Sequence, residues 1–80
     1  MQLGTRWDVG DEPRGSLSEE MHHGIRRVEA ELVADAIDTA GWRWTLTWLE
    51  RRPIAELDDG TRVVQHVDGT VSIVPPAAED

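Results

Sequence analysis

The sequence contains no cysteine, lysine, phenylalanine or tyrosine, and these absences narrow its possible functions. Without cysteine, neither a disulfide framework nor a cysteine zinc site is available to stabilise the fold. A chain of 80 residues buries only about 60% of its unfolded surface, so stability must come from a small apolar core or from association. No apolar run approaches the ~20 residues that span a bilayer, and the N-terminus does not resemble a secretory signal. We therefore expect a cytoplasmic protein without membrane contact.

Basic residues are also scarce, because eight arginines stand against sixteen acids, giving a net charge of -8. Proteins that bind nucleic acid neutralise phosphates with lysine and arginine, so this balance argues against direct nucleic-acid binding. The exclusive use of arginine as the basic residue is typical of a GC-rich genome. A bacterial or phage source fits this composition better than a halophile does.

Catalytic and metal-binding motifs are absent as well. The sequence has no G-x-S-x-G element, phosphate-binding loop or other cofactor signature, so we expect no cofactor and no enzymatic activity. Glu19 and His23 have a spacing on a helix that suits zinc, but no third ligand stands at a diagnostic distance. The pair His22-His23 is therefore interpreted as part of an exposed polar face. A minor catalytic role for His66 is the weakest of the alternatives.

The first half of the chain shows strand and then helix periodicity. Residues 3–9 alternate, which predicts an N-terminal strand with Leu3, Thr5, Trp7 and Val9 on one face. Ser16 and Glu19 have the spacing of a capping box, which predicts a helix over about 17–34. Its apolar stripe follows helical spacing: Leu17, Met21, Ile25, Val28 and Leu32. Gly24 lies beside the stripe, where it allows the helix to approach a sheet closely.

The second half has the period of a sheet. Strands are predicted at about 42–49, 53–58, 61–67 and 70–74, with a four-residue loop over 50–53. Asp59-Gly60 and Asp68-Gly69 are each interpreted as a two-residue hairpin loop. The prediction is therefore an α+β domain over 1–75, with an N-terminal strand and one helix packed on a four-stranded antiparallel meander. Residues 76–80 are interpreted as a frayed acidic tail.

The three predicted turns together place a set of apolar side chains on one face of the sheet. The members of this set are Trp44, Leu46, Trp48, Ala55, Leu57, Val64, Val71 and Ile73. The same registers place His66 on this face opposite Val71, where one ring nitrogen would be satisfied by a hydrogen bond.

The size of this face suggests a function. Four strands make a sheet about 14–19 Å wide, whereas one helix covers about 10–12 Å. The remainder must be covered by the N-terminal strand, by a second copy or by a partner. Tryptophan and arginine are enriched at interface hot spots. We therefore predict a non-catalytic protein–protein interaction module that binds a protein partner or a second copy in a homodimer. Its candidate residues are Trp7, Trp42, Trp44, Trp48, Arg51, Arg52 and His66.

Two alternatives remain open at this point. The first is a carbohydrate or other small-ligand module, in which Trp42, Trp44 and Trp48 form a stacking platform. The second is an acidic inhibitor that acts as a decoy for a nucleic-acid-binding protein, although arginines interspersed among the acids dilute its field.

Overall fold

The computed structural model describes residues 4–76, which form one helix and a five-stranded antiparallel sheet with strands in sequence order. The elements are β1 (Thr5–Asp8), α1 (Glu19–Ala34), β2 (Arg43–Leu49), β3 (Arg52–Leu57), β4 (Arg62–Gln65) and β5 (Val71–Val74). The predicted α+β class and element order are confirmed. Leu3 of the predicted first strand and residues 77–80 of the predicted tail lie outside the described residues. Within residues 4–76, no helix has the length and apolar character required to cross a membrane.

Helix α1 begins two residues later than the capping box at Ser16 predicted. Its N-cap is Ser18, whose hydroxyl accepts a hydrogen bond from the amide of Met21 at 3.2 Å. Ser18 therefore satisfies one of the free amides of the first turn, and Glu19 becomes the first helical residue. Leu17 precedes the helix and packs, half-buried, against the core.

The apolar stripe of α1 packs on strands β4 and β5. Met21, Ile25 and Val28 are buried, as the spacing predicted. Gly24 is buried too, and a Cβ there would lie 2.8 Å from Cγ1 of Val63. The missing side chain therefore lets the helix approach the sheet closely.

The two Asp-Gly turns contain three residues instead of the predicted two. Leu57 and Thr61 enclose residues 58–60, and His66 and Thr70 enclose residues 67–69. In each turn the glycine adopts a left-handed conformation, with φ of 98° at Gly60 and 92° at Gly69. This geometry matches a type I turn followed by a glycine bulge, which adds one residue to the hairpin loop.

The added residue changes which side of β4 faces the helix. Val63 is buried opposite Ala55 and Ile73, whereas Val64 lies on the open face of the sheet. The predicted placement of His66 on the apolar face is wrong for the same reason, because its side chain is exposed on the other side. A second one-residue shift at 67–69 restores the predicted facing of β5, so Val71 and Ile73 face the helix.

The loop between β2 and β3 is shorter than the predicted four residues. Leu49 pairs with Arg52, so Glu50 and Arg51 alone form the turn. Leu46 consequently lies opposite Ala55 instead of Leu57. The shift is two residues, an even number, so the predicted facing of both strands holds.

Over Trp44 and Leu46, the apolar face beyond the helix is covered by the chain itself. Trp7 of β1 stacks on Trp44 of β2, with ring centroids 6.5 Å apart. The linker between β1 and α1 also covers this region, because Pro13 is buried and a Cβ at Gly15 would lie 2.9 Å from Cδ2 of Leu46. Of the three covers expected for this region, the structure shows the first, the N-terminal strand with Trp7.

Candidate functional site

Trp7 and Trp44 belong to the core. The indole Nε1 of Trp44 is fully buried with its ring and donates to Oε2 of Glu29 at 2.9 Å. The same carboxylate oxygen accepts from the amide of Gly10 at 3.1 Å, so Glu29 ties the linker to the sheet. Trp7 and Trp44 are therefore core residues, and neither ring presents a face to solvent.

Trp42 is half-buried and packs against the same core. Its amide donates to the carbonyl of Thr39, and its carbonyl accepts from the amide of Val9. Trp42, Trp44 and Trp48 therefore have three different degrees of exposure. They do not form the single exposed platform that the carbohydrate-binding alternative requires.

Trp48 has the opposite environment, because 47% of its surface is exposed. It lies near the end of β2, opposite Pro53, beyond the part of the face that the helix and the linker cover. The next residue, Leu49, is 54% exposed on the other side of the sheet. Val33 and Ile37, near the C-terminal end of α1, are exposed as well, so it is the grouping of exposed apolar side chains at one end of the sheet that is typical of an interaction surface.

The turn between β4 and β5 lies at the same end of the sheet. Val67 in this turn is 87% exposed. Between the two turns is a groove of about 450 Å³, lined by Glu50, Arg51, Arg52, Pro53, Gln65, His66, Val67 and Gly69. We call the exposed and cationic residues at this end the turn-end surface: Trp48, Leu49, Arg51, Arg52, His66 and Val67.

Arginines supply positive charge to the turn-end surface. Nη2 of Arg52 lies 3.5 Å from Oε1 of Glu50, a weak ion pair at an exposed site. Nε of Arg52 is buried and has no hydrogen-bond partner among the described residues. Arg51 takes part in no ion pair among residues 4–76, so its guanidinium is free to meet a carboxylate.

His66 and Asp68 have local roles at this end. Nε2 of His66 lies 2.7 Å from the hydroxyl of Ser72, which orients the ring beside the groove. The hydroxyl and the amide of Thr70 both donate to Asp68, and these bonds hold the pKa of its carboxyl below the ordinary value. Asp68 therefore stays charged and engaged in its own turn.

The Glu50-Arg51 turn has an unusual backbone. Both residues have positive φ, 51° for Glu50 and 67° for Arg51, a conformation that favours glycine or asparagine. The other two hairpin turns of the sheet use Gly60 and Gly69 at their left-handed positions. Non-glycine residues held in this region cost about 1–3 kcal/mol each and cluster at functional sites.

The candidate metal-binding residues are not brought together. Glu19 and His23 are exposed on α1, and His22 is half-buried. Among residues 4–76, no cluster of three histidine, aspartate or glutamate side chains has a geometry that could hold a metal ion.

The structure therefore divides the predicted site residues. Arg51, Arg52 and His66 line one groove, and Trp48 lies at the same end of the sheet, whereas Trp7, Trp42 and Trp44 serve the core. Sequence reasoning missed Leu49 and Val67 as site residues. The available signal was that each directly precedes a predicted loop, 50–53 for Leu49 and Asp68-Gly69 for Val67.

Comparisons with models of known protein families, with curated proteins and with solved structures each found no match. What the chain does must therefore be inferred from its own residues and their geometry.

Proposed function

We propose that the protein is a non-catalytic protein–protein interaction module whose turn-end surface binds a partner protein. The Glu50-Arg51 turn carries this proposal, because the chain keeps two long charged side chains at left-handed positions where glycine would relieve strain. Strain of this kind clusters at functional sites, which supports a role for these two side chains. On the sequence grounds given above, we propose a cytoplasmic location.

The chemistry of the turn-end surface defines the binding segment of the partner. Val67 offers apolar area in the same groove as Arg51, which is a bidentate donor. Trp48 and Leu49 add exposed apolar area at the same end, one on each side of the sheet. The best-fitting segment has an apolar side chain next to a carboxylate. The net charge of -8 opposes such a partner only weakly, because salt screens exposed charges beyond about 8 Å at physiological ionic strength.

A second copy of the chain is one form that this partner could take. Its sixteen acidic side chains supply carboxylates of the kind that Arg51 of the first copy would bind. Self-association would then use the turn-end surface, since the linker and Trp7 already cover the remaining apolar face.

Selection from a random peptide library tests this proposal without knowledge of the natural partner. The full chain serves as bait, and the double variant Trp48→Ser, Arg51→Gln serves as counter-bait. The matched control is Val33→Ser, Arg62→Gln, which removes an exposed apolar side chain and an exposed arginine elsewhere. We expect the wild type and the control to enrich the same peptides, in which an acidic residue stands next to an apolar one.

Enrichment that is equal for the wild type and the counter-bait would contradict the proposal, as would no enrichment by the wild type. Sedimentation of the wild type, the counter-bait and the control measures whether each chain self-associates. A dimer that the counter-bait loses and the control keeps would identify the partner as a second copy.

A further inference from the structure

The two edges of the sheet differ in their protection against a further strand. Strand β1 carries charged residues at two of its four positions, Arg6 and Asp8, and Asp8 pairs with Arg43 at 3.3 Å. Strand β5 at the other edge contains only Val71, Ser72, Ile73 and Val74 and has no charge. Charged residues on edge strands prevent pairing with other chains, so β5 lacks this protection.

The free backbone groups of β5 follow from its pairing with β4. The amide of His66 donates to the carbonyl of Thr70, so alternate residues from Thr70 onward direct their backbone groups at β4. Val71 and Ile73 therefore point their amides and carbonyls outward. Pro75 has no amide, which ends the free ladder on that side.

A groove runs between this edge and helix α1, and Ile73 separates it into two cavities of about 190 Å³ each. The first cavity lies over Gly24 and Val71, and three polar side chains form its rim: Glu20, His23 and Arg27. The second lies towards the end of the helix and is also lined by Leu32 and Pro75. Along an extended strand, alternate side chains share a face and stand about 7 Å apart, which matches the two-residue offset between the cavities.

The second cavity has an apolar floor and an acidic rim. Glu31, Asp35 and Asp59 line it, and no arginine or histidine does. Oε2 of Glu31 forms an ion pair with Nε of Arg27 at 3.5 Å. Oδ1 of Asp59 accepts a hydrogen bond from the amide of Thr61. A lysine or arginine side chain fits this arrangement, because its stem covers apolar surface while its charged end reaches the carboxylates.

We propose that β5 is a second binding site, which takes an extended basic peptide as a sixth strand in the groove beside α1. The backbone of Val71 and Ile73 supplies up to four hydrogen bonds, the first cavity takes an aliphatic side chain, and the second takes a lysine or arginine. This site is separate from the turn-end surface, and its net attraction for cations agrees with the overall charge of -8.

Two capped heptapeptides test the proposal: acetyl-TVTVTKT-amide and its reversed sequence, because the strand can add in either direction. Each is titrated into the full chain labelled with ¹⁵N. We expect one of the two to bind, to shift the amide signals of Val71 and Ile73, and to slow the hydrogen exchange of those amides. Replacing the lysine with glutamate should weaken binding by about tenfold or more, since the rim then repels the side chain.

Two controls separate strand addition from loose ionic attraction. Methylation of the alternate peptide amides that face β5 removes the backbone pairing but keeps the side chains and the charge, and it should abolish binding. These amides belong to the valines and the lysine where the peptide adds antiparallel to β5, and to the threonines that follow them where it adds parallel. The chain variant Glu31→Gln, Asp35→Asn should bind the lysine peptide more weakly. The variant Asp11→Asn, Glu12→Gln carries the same charge change on the exposed linker and should bind like wild type.

The proposal is overturned if neither heptapeptide binds, if the glutamate or methylated peptides bind as well as the lysine peptide, or if the shifts lie away from β5. Protection of Val71 and Ile73 in a peptide-free dimer would also overturn it, because a second copy would then be the occupant of the edge. Loss of function at the turn-end surface would leave this result unchanged, since no residue is shared by the two tests.

Discussion

Strand β2 begins inside the core and ends in solvent, and its two ends carry tryptophans with opposite surroundings. At the first end, Trp44 is fully buried, stacks on Trp7 and donates its indole proton to Glu29. At the other end, Trp48 is half exposed and leads through Leu49 into the strained Glu50-Arg51 turn. Both tryptophans face the same side of the sheet, so alternation alone does not distinguish them.

The difference shows that a residue on this face is buried only where another part of the chain packs over it. The helix covers β4 and β5, and the linker covers the start of β2, but neither reaches its end. The buried end therefore contributes to stability, and the exposed end is available for binding.

The largest effect is expected at the buried end. Trp44→Ala should destabilise the fold by about 3–5 kcal/mol, because it leaves a large cavity and an unpaired Glu29. For a domain of this size, that loss approaches the whole free energy of unfolding. Urea denaturation followed by circular dichroism measures it. A Trp44 variant as stable as wild type would show that the tryptophan stack contributes little to the core.

Removal of the hydrogen-bond acceptor at the same end should have a smaller effect. Glu29→Ala should cost about 1–3 kcal/mol, because the indole of Trp44 and the amide of Gly10 both lose their partner. Glu31→Ala is the control, since its exposed pair with Arg27 contributes about 1 kcal/mol or less. Equal losses in the two variants would indicate that Glu29 acts only as a surface charge.

A change in the strained turn should act in the opposite direction. Replacing Glu50-Arg51 with Asn-Gly should stabilise the fold by about 1–2 kcal/mol, because these residues tolerate positive φ. The same change should reduce binding of the selected peptides, since it removes Arg51. Thermal unfolding and peptide titration measure the two effects. A variant that is more stable and binds the peptides as well as wild type would show that the strained turn has no role in binding.

The smallest change in stability is expected at the exposed end. Trp48→Ser should alter the free energy of unfolding by about 1 kcal/mol or less, because the ring is half exposed. Denaturation of this variant beside Trp44→Ala provides the direct contrast between the ends. A loss comparable to that of Trp44→Ala would place Trp48 in the core.

Much of this fold was predictable, because helix and strand periods differ and Asp-Gly marks turns strongly. The stripe of Met21, Ile25 and Val28 and the facing of β2 were correct for that reason. The facing of β4 was not, because Asp-Gly is compatible with both two-residue and three-residue loops, and one residue reverses a strand. His66 was misplaced by that single residue.

The candidate site was predictable only in part. The residue types at Trp48 and Arg51 suggested an interface, and the structure brings them to one end with His66. The assignment of Trp7 and Trp44 to the core depended on the linker. Its buried Pro13 lies in an irregular segment, where no periodicity indicates what the chain will cover.

The most direct measurement is the ¹H–¹⁵N spectrum of the indole groups, because the four tryptophans give four separate signals. Before any peptide is added, the indole proton of Trp48 should exchange with solvent fastest and that of Trp44 slowest. Addition of a peptide selected by the wild-type chain should shift the Trp48 signal and leave those of Trp7 and Trp44 in place. Shifts confined to Trp7 or Trp44, or no shift at Trp48, would contradict the division of β2 into a core end and a binding end.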